Sequence, residues 1–477
     1  WLETFGRSNA QAFDREGWLY FKGENYDLFY PAYGDTYPSL RGGVGMTYEM
    51  AGGGRAGEAI RLSTGVTLTL ADRVVRHFTT ALATFETAAK GSRKLLEDFV
   101  ANRLEAANPP NARTYLWSAD APEGAALAEL LTRHGVRVAT LANAVEIPAR
   151  AHSGGEERTR RFAQGTYVVS TAQPLGNLAE AILERRTQVP EAFAARQAEL
   201  LAANADLEFY DITAWSLPLA FNLEVYTASS TGGFATRPAT PGAVLTGQGD
   251  LGVLVRPRGL ANYRLAAALS REGIVYRVAR RGFSNGDESF PSGTLFIPRY
   301  GNSEETTSRL EALLSESPGL SGVRLASSFD LHGISLGSAD MAAVRPVRIG
   351  VLGGDGVDAN SFGALWYLFD AQVAAACDRL DLGRLGELDL SNWEVLVLPD
   401  GRYGDRLSGS TKDRLDAWVK NGGLVIAIGG AADRLQEEKW GSFETWEPEE
   451  EETSDPENPA LAPAEKAARK RPIPTPG

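Results

Sequence analysis

The feature that most constrains the fold lies near the end of the chain, where short aliphatic runs alternate with amphipathic segments. Val347-Arg348-Ile349-Gly350-Val351-Leu352 reads as a buried strand that stops at Gly353-Gly354-Asp355-Gly356. The pattern predicts a helix from Ser361 to Ala376, a strand from Trp393 to Leu398, a helix from Ser410 to Asn421 and a strand from Gly423 to Ile428. Strands without a polar face must be covered on both sides, and a strand–helix–strand order achieves this with a parallel sheet.

The same alternation occurs twice upstream. Strands are predicted at Leu251–Val255, Ile274–Ala279, Thr294–Ile297 and Gly322–Ala326, with helices at Asn262–Glu272 and Glu304–Ser315. Before them come strands at Arg113–Trp117, Gly135–Leu141 and Tyr167–Ser170, with helices at Glu123–His134, Leu175–Arg186 and Glu191–Asn204. Parallel sheets are expected in both stretches. Between Leu70 and Leu104, Val74, Val75, Phe78, Leu82, Phe85, Leu95, Leu96 and Phe99 recur at helical spacing, which predicts one long helix, or two divided at Gly91.

At 477 residues the chain is long enough for about three domains. Its 48 basic residues against 61 acidic ones give a charge of −13, which argues against nucleic acid as a partner. Cys377 is the one cysteine, so no internal disulfide forms. No apolar run approaches the ~18 residues of a membrane span, so no membrane span is expected. From Glu437 the chain turns polar, with the acidic run starting at Glu447 and the basic cluster Lys466 to Arg471, and is expected to be disordered or a long surface insertion.

Two neighbouring stretches near the start suggest chemistry. Phe29-Tyr30-Pro31-Ala32-Tyr33-Gly34-Asp35-Thr36-Tyr37-Pro38 is an aromatic loop whose Pro and Gly break any regular period. In Val44-Gly45-Met46-Thr47-Tyr48-Glu49 the apolar residues alternate with Gly45, Thr47 and Glu49, which predicts a short strand ending in a carboxylate. Glu49 there is either a proton-transfer group or a solvated strand end that caps a backbone N–H. Glycines 52, 53, 54 and 57 then make a connector; no Lys-Ser or Lys-Thr follows, so it is not a phosphate loop.

The loop and Thr47-Tyr48-Glu49 together resemble the end of the catalytic domain of zinc carboxypeptidases of the carboxypeptidase A type, most closely a large bacterial multidomain subgroup. The resemblance implies hydrolysis of C-terminal peptide bonds, with Glu49 as general base on a zinc-bound water. It implies Tyr30 as the substrate-capping tyrosine, with Tyr33 as second choice and Tyr37 beside the specificity pocket. It also implies zinc, a peptide substrate and a secreted or periplasmic setting. The family's His-x-x-Glu ligand pair is missing: the residues three after His77, His134, His152 and His332 are Thr80, Arg137, Gly155 and Ser335. The chain opens at Trp1 without Met, and the expectation is a piece whose metal ligands lie upstream and which, alone, binds no catalytic zinc and hydrolyses nothing. The alternative is a non-catalytic peptide- or glycan-binding protein with a degenerate peptidase part.

The last α/β stretch resembles class I glutamine-amidotransferase domains, which are flavodoxin-like. In those a Cys stands at the turn after a strand like Leu424–Ile428; here the turn is Gly429-Gly430-Ala431-Ala432, and Cys377 is expected at a helix end. A structural domain without amidotransferase activity is expected. The expected α/β architecture is therefore residues 1–70 as the end of a carboxypeptidase-type domain, 71–228 as a helical connector with an α/β unit, 229–345 as a further α/β unit, 346–436 as the amidotransferase-like domain, and 437–477 as the acidic segment.

Overall fold

The computed structural model describes residues 1–22, 30–50, 58–62, 65–121, 123–187, 189–205, 207–208, 215–229, 235–238, 244–317, 319–329 and 331–440. The glycine connector and the acidic segment from 441 onward lie outside them. The chain is a mixed α/β protein with two compact units, Trp1–Ala239 and Thr240–Glu450. Among the described residues no helix is long and apolar enough to cross a membrane.

In the first unit, helix Leu2–Glu16 stops at Gly17, whose φ of 67° suits a residue without a Cβ. No strand forms at 44–50, where an extended segment has no ladder partner among the described residues. The predicted alternation survives in it: Met46, Tyr48 and Met50 are half-buried, while Thr47 and Glu49 are exposed. A hairpin of Ala59–Arg61 with Thr67–Thr69 leads into one uninterrupted helix, Leu70–Ala107. Its start is fixed by a capping box in which Thr69 and Asp72 each satisfy the other's backbone N–H. Gly91 does not break the helix; it leaves room for the Trp1 ring, which a Cβ there would meet at 2.7 Å.

A seven-stranded sheet follows, in the order Arg158–Phe162, Val145–Ala151, Val225–Ala228, Thr114–Trp117, Tyr167–Ser170, Ala139–Leu141 and Thr236–Pro238. Every neighbouring pair is antiparallel, which corrects the parallel expectation. Thr114–Trp117 and Ala139–Leu141 do run the same way across helix Gly124–Arg133. The hairpin 145–162 then returns the chain so that Tyr167–Ser170 enters between them, reversed. Tyr115, Trp117 and Val225 pack on one face with Leu127, Leu131 and Leu178 of the helices; Leu116, Leu141 and Phe162 pack on the other.

The second unit repeats this plan. Its six-stranded sheet runs Val244–Gly247, Ser321–Leu325, Gly252–Val255, Leu295–Pro298, Arg277–Ala279 and Met341–Ala343. Only the first pair is parallel, so the parallel expectation fails here for the same reason. Five consecutive strands of each sheet correspond in chain order, neighbours and direction. Local details correspond too. Phe162-Ala163-Gln164-Gly165-Thr166 matches Phe290-Pro291-Ser292-Gly293-Thr294, with φ of 87° at both Gly165 and Gly293. Gly165 N–H donates to Leu141 O at 2.9 Å, and Gly293 N–H to Ala279 O at 2.8 Å. The two sheets read as an internal duplication.

Residues 346–440 add a four-stranded sheet, fully parallel, in the order Cys377–Asp381, Ile349–Gly353, Val395–Leu398 and Leu424–Ala427. Leu352, Leu396 and Leu398 pack with Leu407, Leu415 and Leu435. The ordered chain runs past Glu437: Trp440 Nε1 donates to Asp416 at 3.1 Å.

Candidate functional site

The aromatic loop is built around a buried carboxylate. Asp35 is 8% exposed, and its side chain accepts from the hydroxyls of Thr47 and Thr36. Ser39 Oγ donates to Asp35 O at 3.0 Å and accepts from Gly45 N–H at 3.2 Å. A Cβ on Gly45 would land on the Asp35 backbone, so the two stretches close on each other only through a glycine. A buried carboxylate persists when its lone pairs are met, and here residues of both stretches meet them. Tyr48 OH then lies 2.9 Å from Thr84 Oγ1, which docks the extended segment on the long helix.

Glu49 follows and lines an open groove of about 740 Å³ against that helix. Arg73 and His77 line the same groove, with Met50, Val74 and Phe78 as its apolar wall. His77, expected as a structural helix residue, thus lines the same groove as Glu49. The signal for it was the helical spacing of Arg73, His77 and Ala81, which puts all three on one face. A groove that carries a carboxylate, a guanidinium and an imidazole can hold a polar or anionic group against an apolar wall.

The expected tyrosines do not line this groove. Tyr30 and Tyr33 pack edge to face, 5.1 Å between ring centres, and Tyr30 also meets Trp215 at 6.2 Å. Tyr37 OH lies 2.6 Å from His134 Nδ1 and accepts from Arg41 at 2.9 Å; Arg41 also donates to His134 O at 2.8 Å. That set anchors the loop to the end of helix Gly124–Arg133.

Among the described residues no group of three His, Cys, Asp or Glu side chains is placed to hold a metal. His134 is engaged by Tyr37. His152 is buried against Ser216, Nε2 to Oγ 3.0 Å, and burial, with Arg185 adding to it, holds its pKa down to about 4. His332 pairs across a short strand with Ser284 in the second unit.

At the turn after Leu424–Ala427, Gly429 has φ 55° and ψ −129°, and Gly430 opens the helix Gly430–Glu437. The Asp400 carboxylate accepts from Gly401 N–H at 2.8 Å and Gly430 N–H at 2.7 Å, and a Cβ on Gly429 would run into it. Cys377 opens a strand rather than closing a helix. It pairs with Ile349 at the opposite end of the parallel sheet from this turn. Burial raises its thiol pKa, with Asp378 and Asp370 adding to the shift, so a reactive thiolate is disfavoured.

Comparisons with family models, with curated proteins and with solved structures give no match.

Proposed function

We propose that the first unit carries the general-base part of a carboxypeptidase-type peptidase site, with Glu49 as the base. The observation that supports this reading is the closure of the aromatic loop on Gly45-Met46-Thr47-Tyr48-Glu49 through Asp35 and Thr47, which leaves the Glu49 carboxylate exposed on an open groove. In that role Glu49 accepts a proton from the attacking water. The water oxygen bonds to the scissile carbonyl carbon, the C–N bond breaks, and Glu49 returns the proton to the leaving amine. The groove would hold the peptide, with Val74 and Phe78 against its apolar side chains.

The zinc that the resemblance implies is not supported by the residues here. The described residues offer no convergent ligand set, and two of the four histidines are held by Tyr37 and Ser216. The proposal therefore places the base and the loop on this chain, and no metal ligand. Tyr30 and Tyr33 do not line the groove and pack with each other, Tyr30 also with Trp215, so their substrate role rests on the resemblance alone; Tyr37 is proposed as an anchor. The parallel part at 346–440 is proposed as a flavodoxin-like, amidotransferase-like domain without that activity, because Gly429 stands at its strand-to-helix turn with the Asp400 carboxylate against it.

Glu49→Gln keeps size and hydrogen bonding but removes basicity. In any preparation of the protein that trims C-terminal residues from peptides, it is expected to lower kcat by roughly 10²–10⁴-fold with little change in KM. Unchanged turnover would remove Glu49 from the role. Peptide binding without hydrolysis by the unaltered protein would favour the binding-protein alternative.

A further inference from the structure

The two copies of the duplicated sheet differ at one end. In the first copy Thr171 N–H donates to Arg113 O at 2.9 Å, and the Gln173 side-chain amide pairs with the Arg137 backbone and with Ser170 O. In the second, Arg299 N–H donates to Leu251 O at 3.0 Å, and the Asn302 amide pairs with the Val275 backbone and with Pro298 O. The shared contacts mark the same end of each sheet. The first copy closes that end with its own chain. Arg103 of helix Leu70–Ala107 donates to Pro174 O at 3.3 Å, and a Cβ on Gly176 would meet Ala106 O at 2.8 Å. In the second copy the chain arrives at Asp250 from strand Val244–Gly247 instead, and the end is an open groove of about 690 Å³. Clefts that take small ligands span ~300–1,000 Å³.

Every residue lining this groove belongs to the second unit. Leu251, Phe296 and Leu336 supply its apolar lining. Tyr300 lines it as well and is 93% exposed, so a ring able to bury ~150–250 Å² buries almost nothing. The polar groups are the Asp250 carboxylate, which accepts from the Arg299 guanidinium, and the side chains of Glu304 and Ser328.

We propose that this groove binds a neutral oligosaccharide, with one pyranose ring stacked on Tyr300 and its hydroxyls on Asp250, Arg299 and Glu304. A pyranose with equatorial hydroxyls has a flat C–H face, which the negative face of an aromatic ring attracts. Its rim of hydroxyls both donates and accepts, so carboxylates and a guanidinium can each be met. Charge disfavours an anionic ligand, because two carboxylates stand against one guanidinium that is already paired. Strand position disfavours an extended peptide. The strands that meet at the groove, Gly252–Val255, Leu295–Pro298 and Ser321–Leu325, are each paired on both sides, so no free edge is offered to a peptide backbone.

Titration calorimetry of the full chain decides it, with cellohexaose and chitohexaose as neutral probes. The galacturonic acid hexamer serves as the anionic control, and alanine and lysine hexamers as the peptide controls. At least one neutral hexamer is expected to bind. Tyr300→Ala is expected to weaken that binding roughly tenfold, whereas Tyr300→Phe, which keeps the ring, is expected to bind as the unaltered chain does. Tyr300 is exposed, so neither change threatens folding. Glu304→Ala removes one hydroxyl acceptor and is also expected to weaken binding roughly tenfold. Failure of both neutral hexamers to bind would overturn the proposal, as would binding indifferent to Tyr300→Ala. So would tighter binding of the acidic hexamer, or binding of either peptide that Tyr300→Ala abolishes. Glu49 lies in the first unit, and its role is judged separately, by turnover.

Discussion

His152 illustrates how burial sets a titration. The side chain is 6% exposed, and its pKa falls from 6.5 to about 4 because the protein interior disfavours the charged ring. Unfolding frees the ring to take a proton. Between pH 6.5 and 4 the unfolded chain therefore binds more protons, so stability is full above about pH 6.5 and declines as pH falls through the window. The loss amounts to roughly 3 kcal/mol for a shift of this size. Denaturant unfolding of the first unit at pH 7 and pH 4.5 should show it, and His152→Gln should flatten the difference; an equal slope in the variant would assign the effect to other groups. Little of this was legible beforehand, because His152 stands in a polar stretch and its burial depends on Ser216, distant in sequence.

The long helix is the element whose existence was plainest and whose environment was least so. Apolar residues at helical spacing are a local property, and the helix forms, undivided at Gly91. Which face is covered is not local. The apolar face that defined the spacing is exposed, and small residues such as Ala83 lie against helix Leu2–Glu16 instead. Thr69→Ala removes one side of the capping box and is expected to cost about 1 kcal/mol, measured as a lower midpoint of the first unit's unfolding. An unchanged midpoint would mean that the hairpin Ala59–Arg61/Thr67–Thr69 holds the helix start without the cap. The segment 44–50 shows the converse case: alternation correctly separated Glu49 from Met46 and Tyr48, but without a partner it made no strand.

At the scale of the molecule, each unit has its own apolar cores: one set around Trp117 and Leu127, another around Val253, Leu254 and Leu398. Separate cores predict separate cooperative transitions, resolved by calorimetry. Leu127→Ala should lower one transition and Leu398→Ala the other, each by about 2–5 kcal/mol, since both side chains are fully buried. If either substitution shifted both transitions, the units would unfold as one. The duplication behind the two sheets escaped detection in sequence because its connections differ. The first copy carries a long hairpin over 145–162 and an added helix, Glu191–Ala202, where the second is shorter.

By itself the sequence determined what depends on near neighbours: the α/β class, the strand and helix positions around Trp117, Val255 and Val397, and the glycine at the Gly429 turn. Tertiary structure decided what depends on residues far apart in the chain. It set strand direction, because a hairpin could return a strand into the gap left by a helical crossover. It carried Tyr37 to His134, and it set His77 and Arg73 along the groove that Glu49 lines. Spacing along a chain fixes the face on which a side chain lies, whereas only packing fixes what that face meets.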